Sequence, residues 1–303
     1  GTVAIDSAAQ AIPPGGALDF ATILRIVQPP RRVLAADGDR VAIGVLGGIR
    51  IFERENAAWS LRARLEPDPA YPASDFGAAL ALKGNRLLVG APRHGPSGAA
   101  LVFTRNTPTG EWRQEAILQP ADSTVSRFGA ALAFDGEQVL VGGSGVVVWY
   151  SRDAPAGPWR ERGRLNPPDR NDPGEFGAAL AVAADELWVG LPATAQRRGA
   201  VHRFVRDRTT GGWRAAGVVR AQAEAGFALG RSIALGERGA VAGAPGADGG
   251  WGRAAVFARA AGGEWSEAVW LVPGGELNHV TGAEVRCAEG RAAGFSCGNV
   301  DLL

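Results

Sequence analysis

Histidine is the side chain best suited to moving protons near neutral pH, and the chain has three: His94, His202 and His279. None has a metal-ligand spacing to another His or to Cys. His202 falls in a predicted strand and reads as structural, whereas His94 and His279 fall in predicted loops, where a catalytic role is open. No Ser sits in a nucleophile elbow, and no glycine loop carries a phosphate-binding Lys. A second candidate set is charged. Arg32, Arg231, Glu284 and Arg286 stand at or beside predicted inner strands that elsewhere read Ala-Ala-Leu-Ala. Charges near a narrow channel need partners, so this set is either a structural Arg–Glu–Arg network or an anion-binding spot. A third set lies in predicted loops that share one face: Arg93, His94, Arg197, Arg198, Trp251 and Arg253. Trp251 sits in the glycine-rich run Ala247-Asp248-Gly249-Gly250-Trp251-Gly252, either as an exposed binding anchor or under a loop folded over its own aromatic.

The elements that position these residues follow from a repeat. Phe76-Gly77-Ala-Ala-Leu80, Phe128-Gly129-Ala-Ala-Leu132 and Phe176-Gly177-Ala-Ala-Leu180 are near copies. Each leads into a strand, a tight turn and a second strand ending in Gly90, Gly142 or Gly190. The ten-residue step from the Leu to that Gly recurs from Leu34 to Gly44, Ile233 to Gly243 and Val285 to Phe295. A constant strand–turn–strand step is what a hairpin in a fixed slot of a ring requires. A third strand carries an aromatic with Arg two positions on, at Phe52/Arg54, Phe103/Arg105, Tyr150/Arg152, Phe204/Arg206 and Phe257/Arg259. A fourth opens with Trp59, Trp112, Trp159, Trp213 or Trp265, placed to pack between blades. The last copy supplies only its first hairpin and a few further residues, while Phe20, Ile26 and Pro29-Pro30 reproduce the missing fourth strand at the other end of the chain. The expected fold is therefore an all-β, six-bladed propeller of four-stranded antiparallel blades in a single domain over 1–303. Its repeats run over about 31–74, 75–126, 127–174, 175–226, 227–280 and 281–303, the last closed by 1–30.

The Phe-Gly pairs, with Gly90-Ala91-Pro92 and Gly243-Ala244-Pro245, resemble the FG-GAP repeats of integrin α-type propellers and their bacterial relatives. The resemblance covers roughly residues 20 to 303, although integrin propellers have seven blades and six are counted here. It implies a secreted protein, extracellular or periplasmic, that binds a protein or glycan ligand on one face. Calcium loops of that family are not carried over. Turns such as Lys83-Gly84-Asn85 and Asp135-Gly136-Glu137 offer fewer than three carboxylates, so no metal and no cofactor is expected.

Composition limits the function further. Thirty-two basic against 31 acidic side chains leave a net charge of +1, too balanced for a dedicated nucleic-acid binder. No apolar run is long enough to span a bilayer. The chain has no Met, so Gly1 reads as a processing boundary. Cys287 and Cys297 ought to pair in an exported protein, yet the repeat register sets them too far apart, which favours two free thiols. The leading functional expectation is a non-enzymatic binding or scaffolding module using the loops of one face. The alternatives are a hydrolase or lyase with its site at the channel mouth, and a carbohydrate-binding lectin.

Overall fold

The structure is a computed structural model. It describes residues 33–45, 47–56, 58–71, 75–107, 110–167, 169, 175–219, 223–236, 239–260, 263–271, 291–292 and 295–296. Every described strand but one short pair belongs to one of five four-stranded antiparallel sheets. In blade two the strands are Leu80–Lys83, Arg86–Ala91, Ala99–Thr104 and Arg113–Leu118, each paired with its chain neighbour. The other blades repeat this order over 34–65, 131–165, 180–219 and 232–271. Inner strands pack side by side from blade one to blade five, so the sheets stand around an axis as propeller blades do.

The alternation of side chains explains the radial stack. Both faces of a middle strand are covered by neighbouring blades, so Leu87, Leu88 and Val89 are all fully buried, as are Val139, Leu140 and Val141. Continuous apolar runs are what a strand covered on both faces needs. The outer strands are more exposed: Arg113, Gln114 and Glu115 of blade two and Arg160 and Arg162 of blade three face solvent, and each strand ends in a buried Leu, Leu118 or Leu165.

The Phe-Gly turn joins each blade to the one before it. Its Phe folds over the third-strand aromatic of its own blade: Phe76 on Phe103, Phe128 on Tyr150 and Phe176 on Phe204, with ring centroids 6.1–6.2 Å apart in edge contacts. Its Gly has a positive φ of 87–94° and donates its N–H to the Gly that closes the second strand, as Gly77 to Gly90, Gly129 to Gly142 and Gly177 to Gly190. In blade five Leu229-Gly230 takes the same place and Gly230 donates to Gly243. The carbonyl of each turn Gly lies against the second-strand Gly of the preceding blade. A Cβ on Gly44, Gly90, Gly142 or Gly190 would stand 3.0, 2.0, 2.3 or 2.0 Å from it. Glycine is required there because two backbones meet.

A second contact stitches the opposite face. The guanidinium of each third-strand Arg lies over the fourth-strand Trp of its own blade, at 4.8–5.7 Å from the ring centroid. Four of these arginines also reach a carboxylate of the preceding blade: Arg105 to Glu53 at 2.7 Å, Arg152 to Glu115 at 2.8 Å, Arg206 to Asp135, and Arg259 to Glu186 at 3.8 Å. The repeat Trp residues are thus part of the blade packing. Trp265 Nε1 donates to Glu186 and Trp213 Nε1 to Gln138, each across a blade boundary.

Among the described residues the structure shows five blades where six were expected. Of the expected sixth, the described residues are Arg291–Ala292 and Phe295–Ser296, which pair antiparallel with Ala292 opposite Phe295. Cys287, Cys297, Arg32, His279, Glu284, Arg286 and the N-terminal closing strand lie outside the described residues.

Candidate functional site

Four residues immediately before the inter-blade turns share an unusual backbone. Asp75, Arg127, Glu175 and Ala228 have φ of 52°, 54°, 63° and 56°. A non-glycine residue in this left-handed region costs of order 1–3 kcal/mol and persists only where its surroundings enforce it. Here the turn does so: Ala78, Ala130 and Ala178 donate to the carbonyls of Asp75, Arg127 and Glu175. The result is a series of side chains at successive blade junctions, on the face where the chain enters the inner strands. Three of the four are charged, and the order is acid, base, acid.

Arg231, at the start of the inner strand of blade five, completes the alternation. Its Nη1 donates to Glu175 Oε2, and both side chains are about half exposed. Glu175 Oε1 has no hydrogen-bond partner among the described residues. Asp75 pairs with Arg93 at 3.2 Å. Arg127 has neither an ion pair nor a side-chain hydrogen bond among the described residues. The mouth thus presents one partly engaged carboxylate, one shared guanidinium and one free guanidinium.

The loop residues singled out from sequence do not form one site. His94 is buried, its ring centroid 3.9 Å from that of Tyr71, so it does not face solvent. Arg197 and Arg198 are exposed on the blade-four loop, where their carbonyls accept the N–H groups of Ala228 and Leu229. Trp251 is 81 % exposed and stands on a braced loop. Arg253 clamps that loop by donating Nε and Nη2 to the two oxygens of Asp248, at 2.7 and 2.5 Å, while its guanidinium lies over Phe227. Gly250 and Gly252 both donate to Ala247. The loop is therefore not folded over its aromatic. Arg231, Ser232, Pro245, Trp251, Arg253 and Leu271 border a concavity of about 510 Å³ on the flank of blade five. Among the described residues, no group of three His, Cys, Asp or Glu side chains is placed to hold a metal ion.

Sequence reasoning missed Asp75, Arg127 and Glu175. The signal was present as the residue preceding each Phe-Gly pair, but its significance depends on a backbone conformation that spacing does not reveal.

The Arg253 clamp gives one pH test. Its hydrogen bonds hold the Asp248 carboxyl below the ordinary value of 3.8. A depressed carboxylate contributes its stabilisation above that ordinary value and loses it as pH falls through the depressed one. The emission difference between wild type and Trp251→Phe is expected to be flat from pH 8 to 5 and to change only below pH of about 4. In Arg253→Leu the change should move upward. A transition near pH 6 would contradict the clamp.

These features define a β-propeller of four-stranded blades. No protein-family model matches the chain, and no curated protein matches it in sequence. Its structural likenesses are to propellers. A Lactobacillus plantarum protein is 18 % identical with a TM-score of 0.55, the match covering 79 % of this chain and 70 % of that one. A Bacteroides fragilis protein provisionally named a 6-phosphogluconolactonase is 13 % identical, also at 0.55, covering 79 % and 69 %. The periplasmic gluconolactonase of Pseudomonas aeruginosa is 13 % identical at 0.47, covering 81 % and 86 %. These findings correct two expectations. The reported neighbours that carry a functional name are lactonases and not integrin-type propellers, and in this structure the Phe-Gly and Gly-Ala-Pro motifs meet a packing need at a blade junction. The non-enzymatic binding or scaffolding module also gives way, since the neighbours with a functional name are named as lactonases.

Proposed function

We propose that the chain is a hydrolase of the lactone-opening kind, with its site at the channel mouth around Glu175, Arg231 and Arg127. Glu175 carries the reading. Opening a lactone needs a base to take a proton from water as it attacks the carbonyl carbon, and positive charge near the oxygen where negative charge develops. Glu175 Oε1 is free to accept that proton while Oε2 is held by Arg231. The Arg231 guanidinium, held by Glu175, supplies a placed donor for the carbonyl oxygen, and the exposed Arg127 guanidinium at the neighbouring junction adds positive charge. Water's hydroxyl adds to the carbonyl, the ring C–O bond breaks, and the proton held by Glu175 passes to the leaving alkoxide. The names of the neighbouring propellers support a sugar lactone as substrate class.

The reading includes a ring of six blades in one domain, with 281–303 closed by 1–30, and a location outside the cytoplasm. It is tested by following proton release from glucono-δ-lactone, with and without a 6-phosphate, in a weakly buffered solution. Release above the spontaneous rate, saturating in substrate, is expected. A rate equal to the spontaneous one across a panel of five- and six-membered lactones would remove the proposal.

A further inference from the structure

The loop between the second and third strands of blade four holds three left-handed residues in succession, none of them glycine. Ala195, Gln196 and Arg197 have φ of 51°, 59° and 62°. Residues with a Cβ visit this region singly when they visit it at all, because the Cβ crowds the following carbonyl. The blade junction does not require such a turn. The corresponding loop of blade two, residues 92–98, makes the same crossing with a positive φ only at Gly95 and Gly98. There the Ser97 carbonyl accepts the Phe128 N–H, as the Arg198 carbonyl accepts that of Leu229. Gly98 and Gly199 bridge in parallel to those same two residues.

The turn is nevertheless firmly held. The carbonyls of Gln196, Arg197 and Arg198 accept the N–H groups of Gly226, Ala228 and Leu229 at 3.1, 2.6 and 3.0 Å, and Arg198 and Gly199 donate to Ala195 and Thr194 within the turn. It is thus strapped to the segment by which the chain enters blade five. Left-handed backbone that its neighbours enforce at an exposed position directs attention to the side chains it presents. Arg197 and Arg198 are exposed, and neither forms an ion pair or a side-chain hydrogen bond among the described residues. The Glu224 carboxylate of the same entry segment favours the charged form of Arg253 instead.

That entry segment leads to the proposed site. Ala228 stands three residues before Arg231, a reach of at most about 11 Å, and Arg231 holds Glu175 Oε2. Three junctions place a charged side chain at the left-handed position, Asp75, Arg127 or Glu175, whereas this one places Ala228. Here the charge comes from the strapped turn. We infer that Arg197 and Arg198 form an anion subsite of the mouth, which selects lactones carrying a phosphate or a carboxylate at the end remote from the reacting carbonyl. The inference rests on the lactone-opening reading for the identity of the ligand. Guanidinium suits both anions, because its planar fork donates two parallel hydrogen bonds to either. A backbone already fixed before the anion arrives reduces the ordering cost of engaging it.

Two matched pairs of substrates test the subsite and separate the two anions. One pair is glucono-δ-lactone and its 6-phosphate. The other is glucono-γ-lactone and the glucaro-γ-lactone that carries a carboxylate at the sixth carbon. In wild type, kcat/KM is expected to be about tenfold or more higher for the anionic member of a pair, and the pair that shows it identifies the anion. Arg197→Ala combined with Arg198→Ala should lower that ratio about tenfold, as the loss of charge-assisted hydrogen bonds does. The thermal melt should stay in place, because the carbonyls that hold the turn are untouched. Added salt should shrink the ratio in wild type, since both guanidiniums are exposed. Equal kcat/KM within both pairs in wild type overturns the inference and leaves the lactone-opening reading standing, and so does a double variant that keeps the wild-type ratio. If no lactone is opened, that reading fails and calorimetry decides the subsite alone, with 6-phosphogluconate, glucarate and gluconate as probes. Tighter binding of 6-phosphogluconate or glucarate than of gluconate, lost in the double variant, supports the subsite. Absence of that difference overturns it.

Discussion

Replacing Glu175 with Gln is expected to lower kcat for lactone opening about 100-fold or more while leaving the melting temperature nearly unchanged. A positioned general base contributes roughly 10²–10⁴-fold, and the amide keeps the shape of the carboxylate while losing its basicity. The structural cost is small for three reasons. The Arg231–Glu175 pair is about half exposed on both sides, a setting in which ion pairs contribute about 0–1 kcal/mol. The left-handed backbone at 175 is enforced by the Ala178 N–H and the turn that follows, which the substitution does not touch. The Gln oxygen can still accept from Arg231. Arg231→Ala should chiefly weaken stabilisation of the developing oxyanion, lowering kcat and kcat/KM together. A Gln variant with wild-type kcat would remove Glu175 from the chemistry even if the lactone is a substrate.

Much of the propeller was legible in the sequence because the repeat is a geometric necessity written in residue types. The ten-residue hairpin step, the aromatic–Arg pairs and the fourth-strand Trp all map onto equivalent positions in five blades. Leu229-Gly230 shows the limit of that reading. It lacks the Phe, so it is weak as a motif, yet it makes the same hydrogen bond to Gly243. What the junction demands is the glycine backbone, and a buried Leu suffices for the side chain. The same fact bears on the family resemblance: the glycine that the motif shares with integrin-type repeats is one that backbone contact at the junction requires in this chain. The candidate site was less legible. Arg231 stood out as a charge interrupting an alanine pattern, but its partner Glu175 belongs to the turn of the previous blade. His94 fell in a loop by pattern and is nevertheless buried against Tyr71, because Tyr71 from the preceding connection covers it.

The largest stability effect is expected from Gly129→Ala, which should destabilise the protein by about 3 kcal/mol or more. Two costs combine. The φ of 94° is one that an L side chain rarely adopts, worth roughly 1–2 kcal/mol. The added Cβ would also lie 2.1 Å from the Ala99 carbonyl oxygen and 3.1 Å from the Ala91 nitrogen. Both neighbours are backbone in fully buried strands, so neither can swing aside as a flexible side chain could, and relief requires blades two and three to separate. Gly84→Ala is the control. Its φ of 55° carries the same kind of backbone cost, but nothing lies within 4 Å of the new Cβ, so about 1 kcal/mol is expected. Chemical denaturation of both variants isolates the price of the close approach. If Gly129→Ala cost no more than Gly84→Ala, the backbone of the turn would not press on the preceding blade. The account of the Phe-Gly motif as a blade junction would then fail.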